Sequence, residues 1–199
     1  MSQQIETNIE VKFTDRNRAT TFFRIFIMIP AAIFLSSFSG SWRDSAHHWH
    51  STSALLVAPA FLAIVFRGKY PSYVYSFNRA LMGLSVRVSA YFLLLVDVYP
   101  TIEANASIEV QYPEIAANRP LKRTLPLVKW FLAIPLYVVG CIYALYALAL
   151  TVFAWFSILF TGVYPAWCAQ PVAGIIAYWN RVIGYAFVLV TDEYPTFSF

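Results

Sequence analysis

Charge is what this chain has least of. Lys, Arg, Asp and Glu make up 12% of its 199 residues, where a soluble domain carries about 25%. Residues 130–160 hold no charge at all, and only Thr151 and Ser157 are clearly polar there. An unbroken run of that length excludes an ordinary soluble core and marks a membrane segment. Cysteine is nearly missing as well. Cys141 and Cys168 sit in or beside apolar segments, and neither belongs to a CxxC pair, which excludes a disulfide framework and a cysteine zinc motif. There is no Gly-rich phosphate loop, no G-x-S-x-G and no HExxH. A Ser/His/Asp set can be assembled only by free choice. A membrane enzyme is therefore the least supported class, since active sites usually leave a recognisable acid–base or metal group. Residues 1–21 are polar and the first apolar run begins at 22. No cleavable signal peptide is expected, and the first apolar segment serves as its own insertion signal.

What is present is one pattern stated twice. FLAIVFRGKYP…RVSAYFLLLVDVYP at 61–100 is answered by AWFSILFTGVYP…NRVIGYAFVLVTDEYP at 154–195. Gly68, Tyr70 and Pro71 answer Gly162, Tyr164 and Pro165 at an offset of 94, as Arg87 and Tyr91 answer Arg181 and Tyr185. Asp97, Tyr99 and Pro100 answer Asp192, Tyr194 and Pro195 at 95. Upstream, Ile9-Glu10-Val11 answers Ile108-Glu109-Val110, and Ile29-Pro30 answers Ile134-Pro135. The letters predict a tandem duplication of about one hundred residues.

Each copy opens on a polar arm, in which 5–13 and 108–112 read as short strands able to pair. An apolar hairpin follows. In the first copy it consists of 22–38, kinked at Pro30, and 54–66, joined by a polar loop at 39–53 whose Trp42 and Trp49 suit a membrane interface. The second segment rises only about 20 Å, short of the roughly 30 Å hydrocarbon core. In the second copy the apolar run 125–160 lacks the loop. One helix of that length, about 46 Å, is too long for the bilayer without strong tilt, so a tight turn is expected at 143–147. Next comes an amphipathic helix. Ser72, Ser76, Arg79, Gly83, Arg87 and Ala90 form one stripe, and Tyr73, Phe77, Leu81, Leu84 and Val88 take the other side. Gln170, Ala173, Ala177, Arg181 and Gly184 repeat the stripe. Such a helix reads as lying in the membrane surface. Residues 91–96 and 185–190 then dip into apolar territory, and Asp-x-Tyr-Pro ends both.

The expected fold is an all-α membrane protein, a tandem parallel repeat in which each copy is a transmembrane helical hairpin followed by an amphipathic interfacial helix. Copy one is 1–100, with its hairpin at about 22–66 and its interfacial helix at about 72–97. A polar link spans 101–124. The rest of copy two is 125–199, with its hairpin at about 125–160 and its interfacial helix at about 166–192. Charge sets the orientation. Three spans per copy would place Arg119, Lys122, Arg123 and Lys129 outside. Two spans plus a surface helix put 13 of the 14 basic residues on one side, with only Arg43 across, as the positive-inside rule favours. Four spans and cytoplasmic termini are expected.

AWFSILFTGVYP followed by NRVIGYAFVLVTDEYPTFSF is similar to the carboxy-terminal signature of an uncharacterised bacterial integral membrane family, domain of unknown function number 4389. FFRIFIMIP and VKWFLAIP resemble the start of its spans. The first copy departs from the pattern at Arg67-Gly68-Lys69-Tyr70 and Asp97-Val98-Tyr99. The resemblance covers nearly the whole chain. It implies the bacterial inner (cytoplasmic) membrane, and no activity or cofactor.

Ionisable groups beside a membrane interior are the first candidates for a site. Arg87 with Asp97, and Arg181 with Asp192, suit a lipid phosphate, which a guanidinium matches in geometry. The plainer reading has the arginines snorkelling and the aspartates bonding backbone N–H groups where the chain leaves the bilayer. His47, His48 and His50, with Asp44, are weak candidates for Zn or Cu. Their spacing fits no zinc motif, and a solvated interfacial loop explains them. Tyr137, Tyr143 and Tyr146 suit a lipid or cofactor groove, or simple packing. The net charge of +4 fits anionic lipids and, being scattered, indicates no nucleic acid. The expected function is that of a non-catalytic accessory or scaffold subunit of a larger membrane complex, in contact with lipids and other integral membrane proteins. The alternative is a small transporter or a phospholipid- or quinone-binding protein with its site at the repeat interface.

Overall fold

The computed structural model describes residues 4–39, 41–43, 49–103, 106–113, 122 and 124–199, and of 39, 41–43 and 49–56 the backbone alone. Strand β1 (Glu6–Ile9) is followed by α1 (Arg18–Phe22) and α2 (Arg24–Ser39). A short hairpin, β2 (Ser41–Arg43) and β3 (Trp49–Ser51), leads into α3 (Thr52–Arg67) and α4 (Ser72–Phe92). The second half holds β4 (Ile108–Gln111), α5 (Leu125–Leu132), α6 (Ile134–Thr161), α7 (Ala166–Ile183) and a π-helical turn, Gly184–Val188.

The chain is mostly helical, but the all-α class needs amending. β1 pairs antiparallel with β4, with Ile9 opposite Ile108 and Glu6 opposite Gln111, and β2 pairs with β3. The alternation of Thr7 and Ile9 with Glu6 and Asn8 gives β1 one face toward the helices and one toward solvent.

The expected turn at 143–147 is not there. Residues 134–161 form one helix of 28 residues. Nothing in Tyr143-Ala144-Leu145-Tyr146-Ala147 breaks a helix, and the break falls instead at Ala133, between α5 and Pro135 in the first turn of α6. By length and composition α6 is the one helix among the described residues able to cross a membrane. Helices α2 and α3 have 16 residues each.

Corresponding letters adopt corresponding conformations at two kinds of turn. Gly68 and Gly162 end α3 and α6 with φ of +65° and +75°, the left-handed stop that glycine tolerates. Leu94 and Leu189 are also left-handed, at +65° and +61°. Both lie just beyond the long helices, and the amides that follow bond back to Ala90 and Gly184. In the segments at 91–96 and 185–190, Leu94, Leu95, Val96, Leu189 and Val190 are buried in the core, whereas Phe92 and Phe187 are exposed.

The long helices pair within each half and cross between halves. Tyr178 and Trp179 of α7 meet Leu136 and Gly140 of α6 at one end, and Trp167 meets Phe153 at the other, so α6 and α7 run antiparallel. Helix α4 returns along α2 in the same way, with Arg24 at Tyr91 and Phe38 at Phe77. Between halves the packing is head to tail. The turn of the first half, Leu94–Val96 in sequence, packs with Ile158, Tyr164 and Cys168. The turn of the second half, Val188 and Val190, packs with Met82 and Tyr70.

Candidate functional site

Helix α1 starts at Asn17, whose side chain accepts from the N–H groups of Ala19 and Thr20 at 3.0 and 3.2 Å. That cap fixes the chain direction between two arginines, Arg16 before it and Arg24 after it. Both reach the loop that ends α4. Arg16 Nη1 lies 2.5 Å from Asp97 Oδ1, and Arg24 Nη2 lies 2.7 Å from the same oxygen. Arg16 also donates to the carbonyls of Leu94 and Leu95. Arg24 donates to those of Tyr91 and Val96 at 2.8 and 2.7 Å and lies over the Tyr91 ring, 4.3 Å from its centroid. Lys12 approaches the other oxygen, Oδ2, at 3.7 Å. The Arg16 and Arg24 side chains are almost wholly buried. Burial by itself would raise the Asp97 pKa, but the charge and hydrogen bonds of Arg16 and Arg24 hold it below the usual carboxylate range. Burial lowers the Arg16 pKa, and with Asp97 beside it the pair stays ionised.

The second half builds a matching clamp from lysine. Lys129 Nζ lies 2.8 Å from Asp192 Oδ1, donates to the Thr191 carbonyl at 2.6 Å and sits 5.0 Å from the Tyr185 centroid. The backbone N–H of Lys122 donates to Asp192 Oδ2 at 3.0 Å. Trp130 Nε1 donates to Ala186 O at 2.7 Å.

The pairings expected from the sequence are thus not the ones made. Arg87 does not bond Asp97. Its Nε and Nη2 donate to the carbonyls of Thr101 and Ile102, both at 2.8 Å, and the residue is buried. Arg181 donates to Ser198 O, one residue beyond the position that answers Ile102. Exposure along α4 changes with position rather than with side: Ser72, Tyr73, Ser76, Phe77 and Arg79 are exposed, whereas Gly83, Leu84, Arg87, Val88 and Ala90 are buried. Polarity along that helix misled because a buried Arg87 places Nε and Nη2 on backbone carbonyls. The residues missed were Arg16, Arg24 and Lys129. A signal for two of them was available: the offset of 105 that aligns Ile29-Pro30 with Ile134-Pro135 also aligns Arg24 with Lys129.

Tyr137, Tyr143 and Tyr146 line no common groove. Tyr143 packs on Tyr178 and Phe199 and donates to Phe197 O at 3.0 Å, Tyr137 tilts against Phe187, and Tyr146 is exposed. A groove of about 410 Å³ does lie between the halves, between α4, α6 and α7, walled by Phe92, Leu93, Ala147, Ile176, Trp179 and Ile183. Of its polar lining, Ser85 bonds Leu81 O and Asn180 bonds Thr7 Oγ1. His47, His48 and Asp44 lie outside the described residues, and of His50 only the backbone is described. Among the described residues no group of three metal-ligating side chains exists. Both cysteines are free thiols, Cys141 exposed and Cys168 buried.

Residues 125–198 match the family model described as Domain of unknown function (DUF4389). The match takes in α5, α6, α7 and the Lys129–Asp192 clamp. No curated protein and no solved structure matches the chain.

Proposed function

We propose that this is a non-catalytic, lipid-contacting membrane protein, an accessory or scaffold subunit that packs against a larger complex. One observation carries the reading: large apolar side chains cover the exterior while several cations are buried. Arg16, Arg24 and Lys129 are buried, while Phe26, Phe66, Leu145 and Phe160 are about 70% exposed, at 68%, 73%, 69% and 77%. Monomeric soluble proteins rarely expose large apolar surface so continuously, and α2, α5 and α6 carry it along their whole length. The groups with chemistry are engaged in closing turns, which suits a scaffold better than a catalyst.

In this reading the chain is a tandem duplication whose copies meet about a local two-fold between Ile9 and Ile108. Both termini are cytoplasmic, in a bacterial inner membrane. The packing bears on how it sits there. The Arg24–Asp97 clamp neighbours the start of α7 through Arg16, which lies 5.4 Å from the Tyr164 centroid. The Lys129–Asp192 clamp lies at the far end of α7. If α7 crossed the bilayer, the two basic clusters would lie on opposite faces, against the positive-inside rule. An α7 lying along the cytoplasmic surface keeps them together, and α6, its antiparallel neighbour, then embeds beside it. The four-span layout is replaced by helices held largely in one leaflet.

The test is purification of the tagged protein from its own membranes in mild detergent, with mass spectrometry of what accompanies it. Stoichiometric membrane partners are expected. Recovery as a lone monomer without partners, or release from membranes by salt alone, overturns the reading. The groove between the halves supports a second reading, binding of an acyl or isoprenoid quinone tail, because its walls are mostly apolar. A single lipid or quinone species retained in place of protein partners favours it.

A further inference from the structure

Beside β4, α4 forms one wall of a pocket of about 850 Å³ that neither clamp uses. Arg79, Gly83 and Arg87 stand four residues apart on one stripe of α4 and all line it. Gly83 matters by what it lacks. Arg87 Nη1 lies 3.3 Å from where a Cβ on Gly83 would be, so the Arg87 guanidinium folds back one turn toward Arg79. Its Nε and Nη2 are held by the Thr101 and Ile102 carbonyls, and Nη1 makes no hydrogen bond among the described residues. Arg79 makes none either. Its guanidinium is exposed and stands 5.4 Å from the centroid of the Tyr112 ring. The Tyr112 hydroxyl is buried without a partner among the described residues. Burial raises its pKa, so it remains a protonated donor at neutral pH.

Three donors are therefore gathered without a hydrogen-bond acceptor among the described residues: Arg79, Arg87 Nη1 and the Tyr112 hydroxyl. Glu109 also lines the pocket, and its Oε1 accepts from Gln111 Nε2 at 3.1 Å. Two guanidiniums against one carboxylate leave the pocket positive. The second half has no counterpart, because the offset of 94 puts Ala173 where Arg79 stands and Ala177 where Gly83 stands. Arg181 repeats only the carbonyl-binding half of what Arg87 does.

We propose that the pocket formed by Arg79, Arg87 and Tyr112 binds a phosphate group, carried by an anionic lipid headgroup or free in solution. Guanidinium donors in a fixed fork match phosphate oxygens. A lipid source rests on the membrane reading above, whereas the phosphate chemistry stands without it.

The probes are phosphatidate, phosphatidylcholine and inorganic phosphate, added to the full chain in neutral detergent. Native mass spectrometry reads lipid retention, and calorimetry reads phosphate. Wild type is expected to hold one phosphatidate in preference to phosphatidylcholine. Arg79→Gln, at an exposed position that leaves the fold untouched, is expected to weaken this about tenfold, one charged hydrogen bond's worth. Tyr112→Phe is expected to weaken it less, and Glu109→Gln to strengthen it. Competition by inorganic phosphate with the same mutant pattern makes soluble phosphate the source; its absence makes the lipid the source. Equal retention of both lipids by wild type and Arg79→Gln, with no phosphate binding, overturns the site. That result leaves the membrane reading intact, because membrane partners and extraction behaviour are measured separately.

Discussion

Asp97 and Asp192 close turns of the same shape with different cations. At Asp97 two guanidiniums converge on one oxygen and between them bind four backbone carbonyls. At Asp192 one ammonium binds one carbonyl, and a backbone N–H supplies the second contact to the carboxylate. The difference is one of reach. An arginine offers five donors in a plane, a lysine three at a point. Only the first clamp joins the halves: the amide of Arg16 donates to Gly162 O, and its side chain faces Tyr164. The Asp97 site is a junction, whereas the Asp192 site fastens the second half to itself.

The largest effect that separates the two is expected from removing the carboxylates. Asp97→Ala leaves two buried arginines without their counter-charge and is expected to cost about 3–5 kcal/mol, read as a fall in thermal unfolding temperature in detergent. Asp192→Ala orphans one lysine that keeps the Thr191 carbonyl and the Tyr185 ring, and about half that loss is expected. Equal losses would break the distinction between junction and fastening.

Acid sharpens the same contrast. The Asp97 pKa is held below its unfolded value by Arg16 and Arg24 despite burial. Its stabilising contribution is complete above the unfolded value of about 4 and is lost as pH falls through the lower folded value. The unfolding temperature of wild type should drop steeply below about pH 4, and that of Asp97→Asn should drop less. Identical pH profiles would show that the carboxylate's charge contributes nothing.

The smallest contrast lies at another pair of equivalent letters. The Tyr70 hydroxyl donates to Val188 O at 2.8 Å and accepts from Asn78. The Tyr164 hydroxyl is buried without a partner among the described residues. Tyr70→Phe is expected to lose about 1 kcal/mol, and Tyr164→Phe about 0, or to gain slightly. Denaturation midpoints of the two variants test this, and a loss at Tyr164 equal to that at Tyr70 would mean the hydroxyl is engaged after all.

Much of the local structure was legible in the letters. Helices α2, α3, α4 and α7 fall where apolar and amphipathic periodicity put them, and Gly68 and Gly162 end helices where glycine is the residue that stops one cheaply. The antiparallel pairing of 6–9 with 108–111 was an open possibility in the alternation of both arms. The site was much less legible. Arg87 and Asp97 lie near each other in sequence, and that nearness suggested a pair that the fold does not make. Asp97 takes its cations from residues about 70 to 80 positions upstream.

The sequence by itself determined where most of the helices lie, how scarce charge is, and which letters recur at offsets of 94, 95 and 105. Those are properties of spacing and composition, which a linear chain carries in full. Only the tertiary structure decided which cation meets which carboxylate, and that Leu94, Leu95, Val96, Leu189 and Val190 are buried. The reason is physical. A buried charge must take its partner from whatever element folding places across from it.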